Sequence, residues 1–365
     1  TLNLKKWLIA IPLTLALALG VAACGSSDSD SGSSGSSGDA VSGEIAGAGA
    51  SSQEAAMAAW VAGFQENNPD ANIAYDPVGS GGGREQFIAG GTDFGGTDTP
   101  MDETELADVA KRCKPGEYIE IPVYISPIAV PYNVEGVDDL NLSASTLARI
   151  FAGDITKWND QAIAAENPDA SLPDQDIVVV HRSDESGTTE NFTDYLHQAA
   201  PKDWTDEPDG VWPLQGGEAA NGTSGVISAV KSGSGTIGYA DLSQVGDLGT
   251  VNVKVGSDFV APSPEAAVKI FDESKRIGGE GKYIFAYELN RTSTAQGLYP
   301  ISLVSYEMAC TTYDSADTAK LVKAFYSYII SDEGQQAAAS NAGSAPIPAS
   351  LSKQITPAVE AIQTS

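Results

Sequence analysis

Apolar residues recur along this chain with two periods, and the alternation of those periods predicts strands alternating with helices. Ile45-Ala46-Gly47 reads as a short strand leading into Gly49-Ala50-Ser51-Ser52. Met57, Trp60, Val61 and Phe64 then share one helical face, which Asn67-Asn68-Pro69 ends. A strand from Ile73 to Val78 runs into Gly79-Ser80-Gly81-Gly82-Gly83 and a short helix that stops at Gly90-Gly91. Asp93-Phe94-Gly95-Gly96-Thr97-Asp98 is a strand entering a turn before Pro100; a helix from Asp102 to Arg112 and an apolar run from Ile119 to Pro131 follow. The same grammar continues downstream. Ser143 caps a helix carrying Leu147, Ile150 and Phe151, Asp176 to His181 is a Val-rich strand, and Ser186-Gly187-Thr188 opens a helix with Phe192, Tyr195 and Leu196. Thr236 to Tyr239 and Ile301 to Thr311 read as further strands, and Leu321, Val322, Phe325 and Ile329 as one face of a long helix. The pattern is that of an α/β protein, without the 20–50-residue repeat of a solenoid.

The first residues follow a different pattern. Lys5 and Lys6 precede an apolar run from Trp7 to Ala23, which closes on Val21-Ala22-Ala23-Cys24. This is the layout of an export signal with small residues at the cleavage site. A membrane-spanning helix is the competing reading, but the run is at the short end of the ~20 residues such a helix uses. Val-Ala-Ala-Cys resembles a bacterial lipobox, which makes Cys24 the expected lipid attachment site and 1–24 the signal segment; secretion without lipid and an uncleaved anchor stay open. Residues 25–42 are almost entirely Ser, Gly and Asp. Such a segment cannot bury enough apolar surface to fold and reads as a tether of roughly 20–25 Å.

The chain has 365 residues, enough for two lobes, and a formal charge of −29. That charge argues against a nucleic-acid partner and against an electrostatic hold on an anionic membrane, both of which use clustered Lys and Arg. It leaves room for a small anion held by a few local donors. With Cys24 assigned to lipid, Cys113 and Cys310 remain, and two thiols in an exported chain point to one disulfide. No Cys-x-x-Cys or Cys/His cluster occurs, and the histidines are His181 and His197, so neither a metal nor a redox centre is expected.

One junction recurs three times: a strand, then small hydroxyl or glycine residues, then a helix. It occurs at Ser51-Ser52, at Ser80-Gly81-Gly82-Gly83 and at Ser186-Gly187-Thr188. Helix starts expose unpaired N–H groups and the positive end of the helix dipole, and small residues let an anion approach them. Any one of the three reads equally well as an ordinary cap. Ser51, with Glu54 three residues on, fits a capping box in which its own helix takes the hydroxyl. Rival motifs fail on spacing. Gly79 to Gly83 lacks the Gly-Lys-Ser/Thr ending of a P-loop, and Arg84 stands where a dinucleotide fingerprint needs glycine. A nucleophile elbow at Ser186 needs glycine where Asp184 and Thr188 stand.

Gly47-Ala48-Gly49-Ala50-Ser51, Gly79-Ser80, Asp93-Phe94-Gly95-Gly96-Thr97-Asp98 and Arg182-Ser183-Asp184-Glu185-Ser186-Gly187-Thr188 resemble the phosphate-binding proteins of the phosphate-specific ABC importer. Phe151 to Asp160 and Gly235 to Tyr239 match the same family in order, so the resemblance runs from about residue 45 to the C-terminus. It departs at Ser52, where many relatives have an aromatic residue, at Gln53-Glu54, and at Gly81.

The resemblance implies a two-lobed periplasmic-binding-protein fold with two crossing strands and a ligand cleft. Lobe one is then 43–128 plus 301–365 and lobe two 129–300, with crossings at Pro122 to Tyr132 and Tyr299 to Leu303. Carried across by motif, the phosphate ligands are Ser51, Ser52, Ser80, Asp98, Arg182, Ser186, Gly187 and Thr188, with Asp184 steadying the Arg182 fork. Asp98 is implied to accept the proton that phosphate carries and sulfate lacks; its plainer role is to cap the turn before Pro100. The implied protein is a monomeric binding protein that hands inorganic phosphate to ABC importer permease subunits, with neither catalysis nor a cofactor. Another oxyanion such as sulfate or molybdate, a secreted phosphate-ester hydrolase, and a signalling or adhesive lipoprotein remain as alternatives.

Overall fold

A computed structural model describes residues 40–277 and 281–365. The export signal, Cys24 and most of the tether lie outside the described residues, as does the choice between lipid attachment and a spanning helix.

The strands, in chain order, are β1 (Gly43–Gly49), β2 (Ala71–Asp76), β3 (Phe94–Thr97), β4 (Tyr118–Ala129), β5 (Pro131–Asn133), β6 (Leu140–Leu142), β7 (Val178–Arg182), β8 (Glu218–Ala220), β9 (Thr236–Ile237), β10 (Ala240–Asp241), β11 (Gly249–Val255), β12 (Asp258–Val260), β13 (Lys275–Ile277), β14 (Ala286–Glu288), β15 (Ser302–Cys310), β16 (Thr312–Tyr313) and β17 (Gln363–Thr364). The helices are α1 (Glu54–Asn67), α2 (Ser80–Ile88), α3 (Glu103–Arg112), α4 (Ala144–Phe151), α5 (Gln161–Glu166), α6 (Gly187–Ala199), α7 (Gly222–Ser232), α8 (Pro264–Ala267), α9 (Lys269–Asp272), α10 (Ala316–Ile329), α11 (Asp332–Ala342) and α12 (Ala349–Glu360).

Two sheets organise these elements. The first has the order β10-β4-β15-β3-β1-β2, the second β12-β11-β5-β9-β7-β8 with β6 beside β11. In the first sheet β1 runs parallel to β2 and β3, while β15 lies antiparallel to β3 and β4. Every residue of β4 and β15 is buried, because these inner strands are covered on both faces. Helices α1, α10 and α11 cover one face: the Trp60 indole donates to the Gly334 carbonyl at 2.8 Å, and the Phe64 and Phe325 rings meet edge to face. In the second sheet β7 runs parallel to β8 and β9, the pairing that a strand–helix–strand repeat produces.

The chain passes from the first sheet to the second at Val130, between β4 and β5, within the predicted crossing. It touches the first sheet again at β10, directly after β9. The return differs from the expectation. Residues 264–300 were grouped with lobe two, yet Ala267, Ile270, Leu289 and Leu298 pack with Ile125, Val304 and Tyr306 of the first sheet. The Tyr299 hydroxyl donates to the Ile128 carbonyl at 2.9 Å, which ties the end of this segment to β4. The apolar pattern of 264–300 is real, but a local pattern does not say which of two sheets it will cover.

Cys113, at the end of α3, is bonded to Cys310, at the end of β15, with Cα atoms 5.2 Å apart. The bond spans 197 residues of sequence and fastens α3 to the first sheet. Closing so long a loop restricts the unfolded chain far more than the folded one. Replacing both cysteines by serine should therefore lower the unfolding free energy by about 2–5 kcal/mol. A urea melt reads this as a lower midpoint; an unchanged midpoint would mean that the native packing alone holds α3.

Candidate functional site

The three predicted helix starts come together around one carboxylate, that of Asp98 at the end of β3. Asp98 is 3% exposed, and its Oδ2 accepts from the Ser52 hydroxyl at 2.5 Å while its Oδ1 accepts from Ser305 at 2.7 Å. Thr188, in the first turn of α6, donates to Oδ2 at 3.4 Å. The Asp98 amide donates to the hydroxyl of Ser80, the first residue of α2, at 3.1 Å. Burial pushes the Asp98 carboxyl above its ordinary value; the Ser52 and Ser305 bonds, the Arg182 charge and Thr188 pull it part of the way back. It is thus a desolvated acceptor group at the place where elements of both sheets meet.

Glycines allow that approach. A Cβ on Gly187 would stand 2.7 Å from both the Asp98 Cβ and the Ser80 hydroxyl, so no larger residue fits between α6 and the Asp98 turn. Gly79 has φ +96°, and a Cβ there would come within 2.7 Å of Asp184.

Arg182 closes β7 and is 3% exposed. Its Nε donates to Asp184 Oδ1 at 2.8 Å and its Nη2 to Asp184 Oδ2, a two-point pairing that fixes the plane of the guanidinium. Burial raises the Asp184 carboxyl, but the hydrogen bond and charge of Arg182 and the Gly222 amide outweigh it and hold it below its usual value. Asp184 thus meets the Arg182 guanidinium through both of its carboxylate oxygens. Ser186 caps α6, accepting from the Thr189 amide at 3.3 Å, while its own amide donates to the Gly210 carbonyl. Its hydroxyl proton stays available, as do the amides of Gly187 and Thr188, which have no carbonyl one turn back.

Ser51 differs from its expected capping box. Ser51 to Gln53 form a 3-10 turn ahead of α1, in which no side chain caps the first turn. The Ser51 hydroxyl instead bonds Thr223 Oγ1 at 3.0 Å and receives the Thr223 amide at 3.1 Å, at the start of α7. It is taken by another helix start, one the sequence reading did not include. Ser305 was missed too; its signal is a hydroxyl in the middle of a fully buried strand.

Two further arginines tie the two sides together. Arg84 bonds Glu105, Thr97 and Thr99 on its own side and Glu185 across the cleft at 2.8 Å. Arg291 bonds Asp194 at 2.8 Å and Asn191 at 2.5 Å on α6, and the Ser302 carbonyl at the start of β15. Asn191 in turn donates to the Asp98 carbonyl at 2.8 Å.

The histidines are engaged elsewhere. His181 bonds the carbonyls of Arg182 and Gly216, and His197 bonds that of Asp206. Among the described residues, no group of three or more His, Cys, Asp or Glu side chains is placed to hold a metal ion.

A PBP superfamily domain model matches residues 34–333. The chain is 37% identical over 322 residues to phosphate-binding protein PstS 3 of Mycobacterium leprae, covering 86% of this chain and 85% of the relative. It is 34% identical over 337 residues to phosphate-binding protein PstS2 of Mycobacterium bovis, covering 90% of each. Among solved structures it is similar to PfluDING, a high affinity periplasmic phosphate-binding protein bound with phosphate, with a TM-score of 0.68 and 22% identity over 86% of this chain and 92% of that one. A phosphate binding protein from Stenotrophomonas maltophilia gives a TM-score of 0.66 and 19% identity over 87% of this chain and 94% of that one. At those identities the structures speak for the fold.

The contact at Gly187 yields a direct test. Gly187→Ala should hold α6 off the Asp98 turn, at an overpacking cost of about 1–3 kcal/mol. Hydrogen exchange at the Asp98 amide, which bonds Ser80, should become faster. Unchanged protection would show that α6 does not press on the turn.

Proposed function

This chain belongs to the PstS phosphate-binding proteins of the PBP superfamily, and from that membership we propose that it captures inorganic phosphate outside the cytoplasmic membrane and delivers it to an ABC importer. One observation carries the reading: a buried carboxylate, Asp98, stands among three helix starts with Arg182 beside it. Helix starts and an arginine attract an anion; a carboxylate repels one unless a proton lies between them. Phosphate carries that proton near neutral pH and sulfate does not. The arrangement therefore fits phosphate better than sulfate or molybdate.

In this reading Ser80, Asp98 and Ser52 bind from one lobe and Arg182, Ser186, Gly187 and Thr188 from the other, with Asp184 behind the arginine. The lobes we propose are built on the two sheets, 43–128 with 301–365 on the first and the strands from Pro131 to Val260 except β10 on the second; 264–300 joins the first by its packing. A ligand bridging both sides stabilises only the closed arrangement, and Arg84–Glu185 and Arg291–Asn191 form in that arrangement. Ser51, held by Thr223, contributes to closure rather than to the anion. Attachment through a lipid on Cys24, action as a monomer, and the absence of catalysis and of a cofactor complete the proposal.

Calorimetric titration of residues 40–365 with phosphate, arsenate and sulfate tests it. Phosphate and arsenate, which both carry the proton, should bind, and sulfate should bind at least ~10⁴-fold more weakly. Equal affinity for sulfate would overturn the assignment. Asp98→Asn should narrow the phosphate-to-sulfate ratio, because the amide turns its NH₂ toward an unprotonated oxygen; a ratio that does not move would remove Asp98 as the proton acceptor. Arg182→Ala should cost roughly 3–5 kcal/mol of binding, and Arg182→Lys should restore only part of it because the planar fork is lost. Full affinity in the lysine variant would refute the two-point contact.

A further inference from the structure

A second carboxylate lies behind Asp98 that no motif identifies. Asp241 is the last residue of β10, which pairs antiparallel with β4 so that Asp241 stands opposite Ile128. On β4, Ser126 and Tyr124 follow Ile128 at alternate positions, and Tyr124 stands opposite Ser305 of β15. Residues opposite one another, and alternate residues along a strand, share a face. Asp241, Ser126, Tyr124 and Ser305 therefore line one face of the first sheet, and Ser305 bonds Asp98 there.

This row is buried and incompletely bonded. Asp241 is 1% exposed, Tyr124 1% and Ser126 0%. Asp241 Oδ1 accepts from the amide and hydroxyl of Ser243, which is a turn-capping role. Its Oδ2, the Tyr124 hydroxyl and the Ser126 hydroxyl have no protein hydrogen-bond partner. Buried polar atoms without partners are uncommon and costly, and three in a row beside an anion site call for a functional account.

We propose that Asp241 is a proton-linked group of the same site: it takes a proton from solvent when phosphate binds, and so makes capture tighter in mildly acid surroundings. The inference rests on the phosphate-binding reading. An anion entering beside Asp98 brings negative charge toward a carboxylate that has no cation of its own, which favours the neutral acid. The titratable groups bearing on Asp241 are Asp98, from the β3 turn, and Tyr124, which feels both carboxylates. Arg182 acts on Asp98 from the opposite side. Helices α7 and α11 pack against the same turn, and their buried residues include no titratable group. Burial pushes Asp241 up to about 6 against the Ser243 bonds, and the negative charge of Asp98 adds to this.

The sign follows. Below about 6 Asp241 is neutral with and without phosphate and adds no pH dependence. Above that value the unliganded protein is ionised, and binding must either drive proton uptake or tolerate the added repulsion. The ratio of wild-type to Asp241→Asn dissociation constants for inorganic phosphate should be flat at low pH. It should rise by about tenfold toward pH ~8, the factor given by one unit of pKa displacement. Phosphate's own ionisation is common to both proteins and cancels in the ratio. Asparagine keeps the Oδ1 acceptor for Ser243, so a merely structural role predicts a ratio independent of pH, and that result would overturn the inference. Should the variant fold poorly, carbon-13 carboxyl titration of the wild-type protein decides the matter. A buried aspartate titrating near 6 should move upward when phosphate is added, and the absence of such a signal would equally overturn it. Failure of the wild-type protein to bind phosphate at any pH would instead sink the binding reading on which the inference stands.

Discussion

The arrangement depends on the burial of the Asp98 carboxylate. Removing an ionised carboxyl from water is expensive, and the group survives there only if donors replace the water it gave up. Ser52, Ser305 and Thr188 supply hydroxyls from three separate parts of the chain, and Asp98's own amide anchors on Ser80. Satisfying one side chain thus requires the β3 turn, the start of α1, the start of α6 and the middle of β15 to be in register. The tight glycine contact at Gly187 follows from the same demand, since the hydroxyl of Thr188 reaches Asp98 only if the backbone before it comes close.

That demand also links the two sheets. Contacts that exist only when both sides meet set how far a ligand can shift the equilibrium between open and closed forms. Here they include a carboxylate–hydroxyl bond (Asp98–Thr188), a hydroxyl pair (Ser51–Thr223) and two buried arginines. The arginines differ in character. Arg84 reaches Glu185, whose side chain is 49% exposed, so that pair is open to water and worth little alone. Arg291 is enclosed and bonds both Asn191 and a carbonyl at the start of β15, which makes it the firmer connection. Asn191 then carries that connection to the Asp98 backbone.

What could be read in the sequence was what local chemistry dictates. Asp102 with Glu105 forms the capping box of α3, and Ser143 and Ser186 cap α4 and α6, because a cap needs only its own helix. The Arg182–Asp184 pairing is two residues apart and equally local. The rest required partners far away in sequence. Ser51 looks like a capping residue, yet its hydroxyl meets Thr223, 172 residues on. Ser305 is one of two serines in a buried strand until Asp98 is brought to it across 207 residues. The segment 264–300 is a similar case, since its apolar residues fit either sheet until tertiary packing sets Ala267, Ile270, Leu289 and Leu298 against Ile125 and Val304.

The net charge of −29 runs against anion capture, and distance resolves the conflict. Most of the acidic residues are exposed, where water and salt screen them beyond about 8 Å at physiological ionic strength. An anion between Arg182 and the starts of α2 and α6 is surrounded by groups that are themselves buried and not screened in this way. Local donors therefore set whether it is held, while the surface charge acts on how fast it arrives and weakens as salt rises. Under the proposed reading, the carboxylates that bear on the anion are the buried pair Asp98 and Asp241. A site built on buried dipoles and one arginine tolerates an acidic surface. In the proposed function its selectivity then turns on whether the incoming oxyanion brings a proton for the carboxylate it meets.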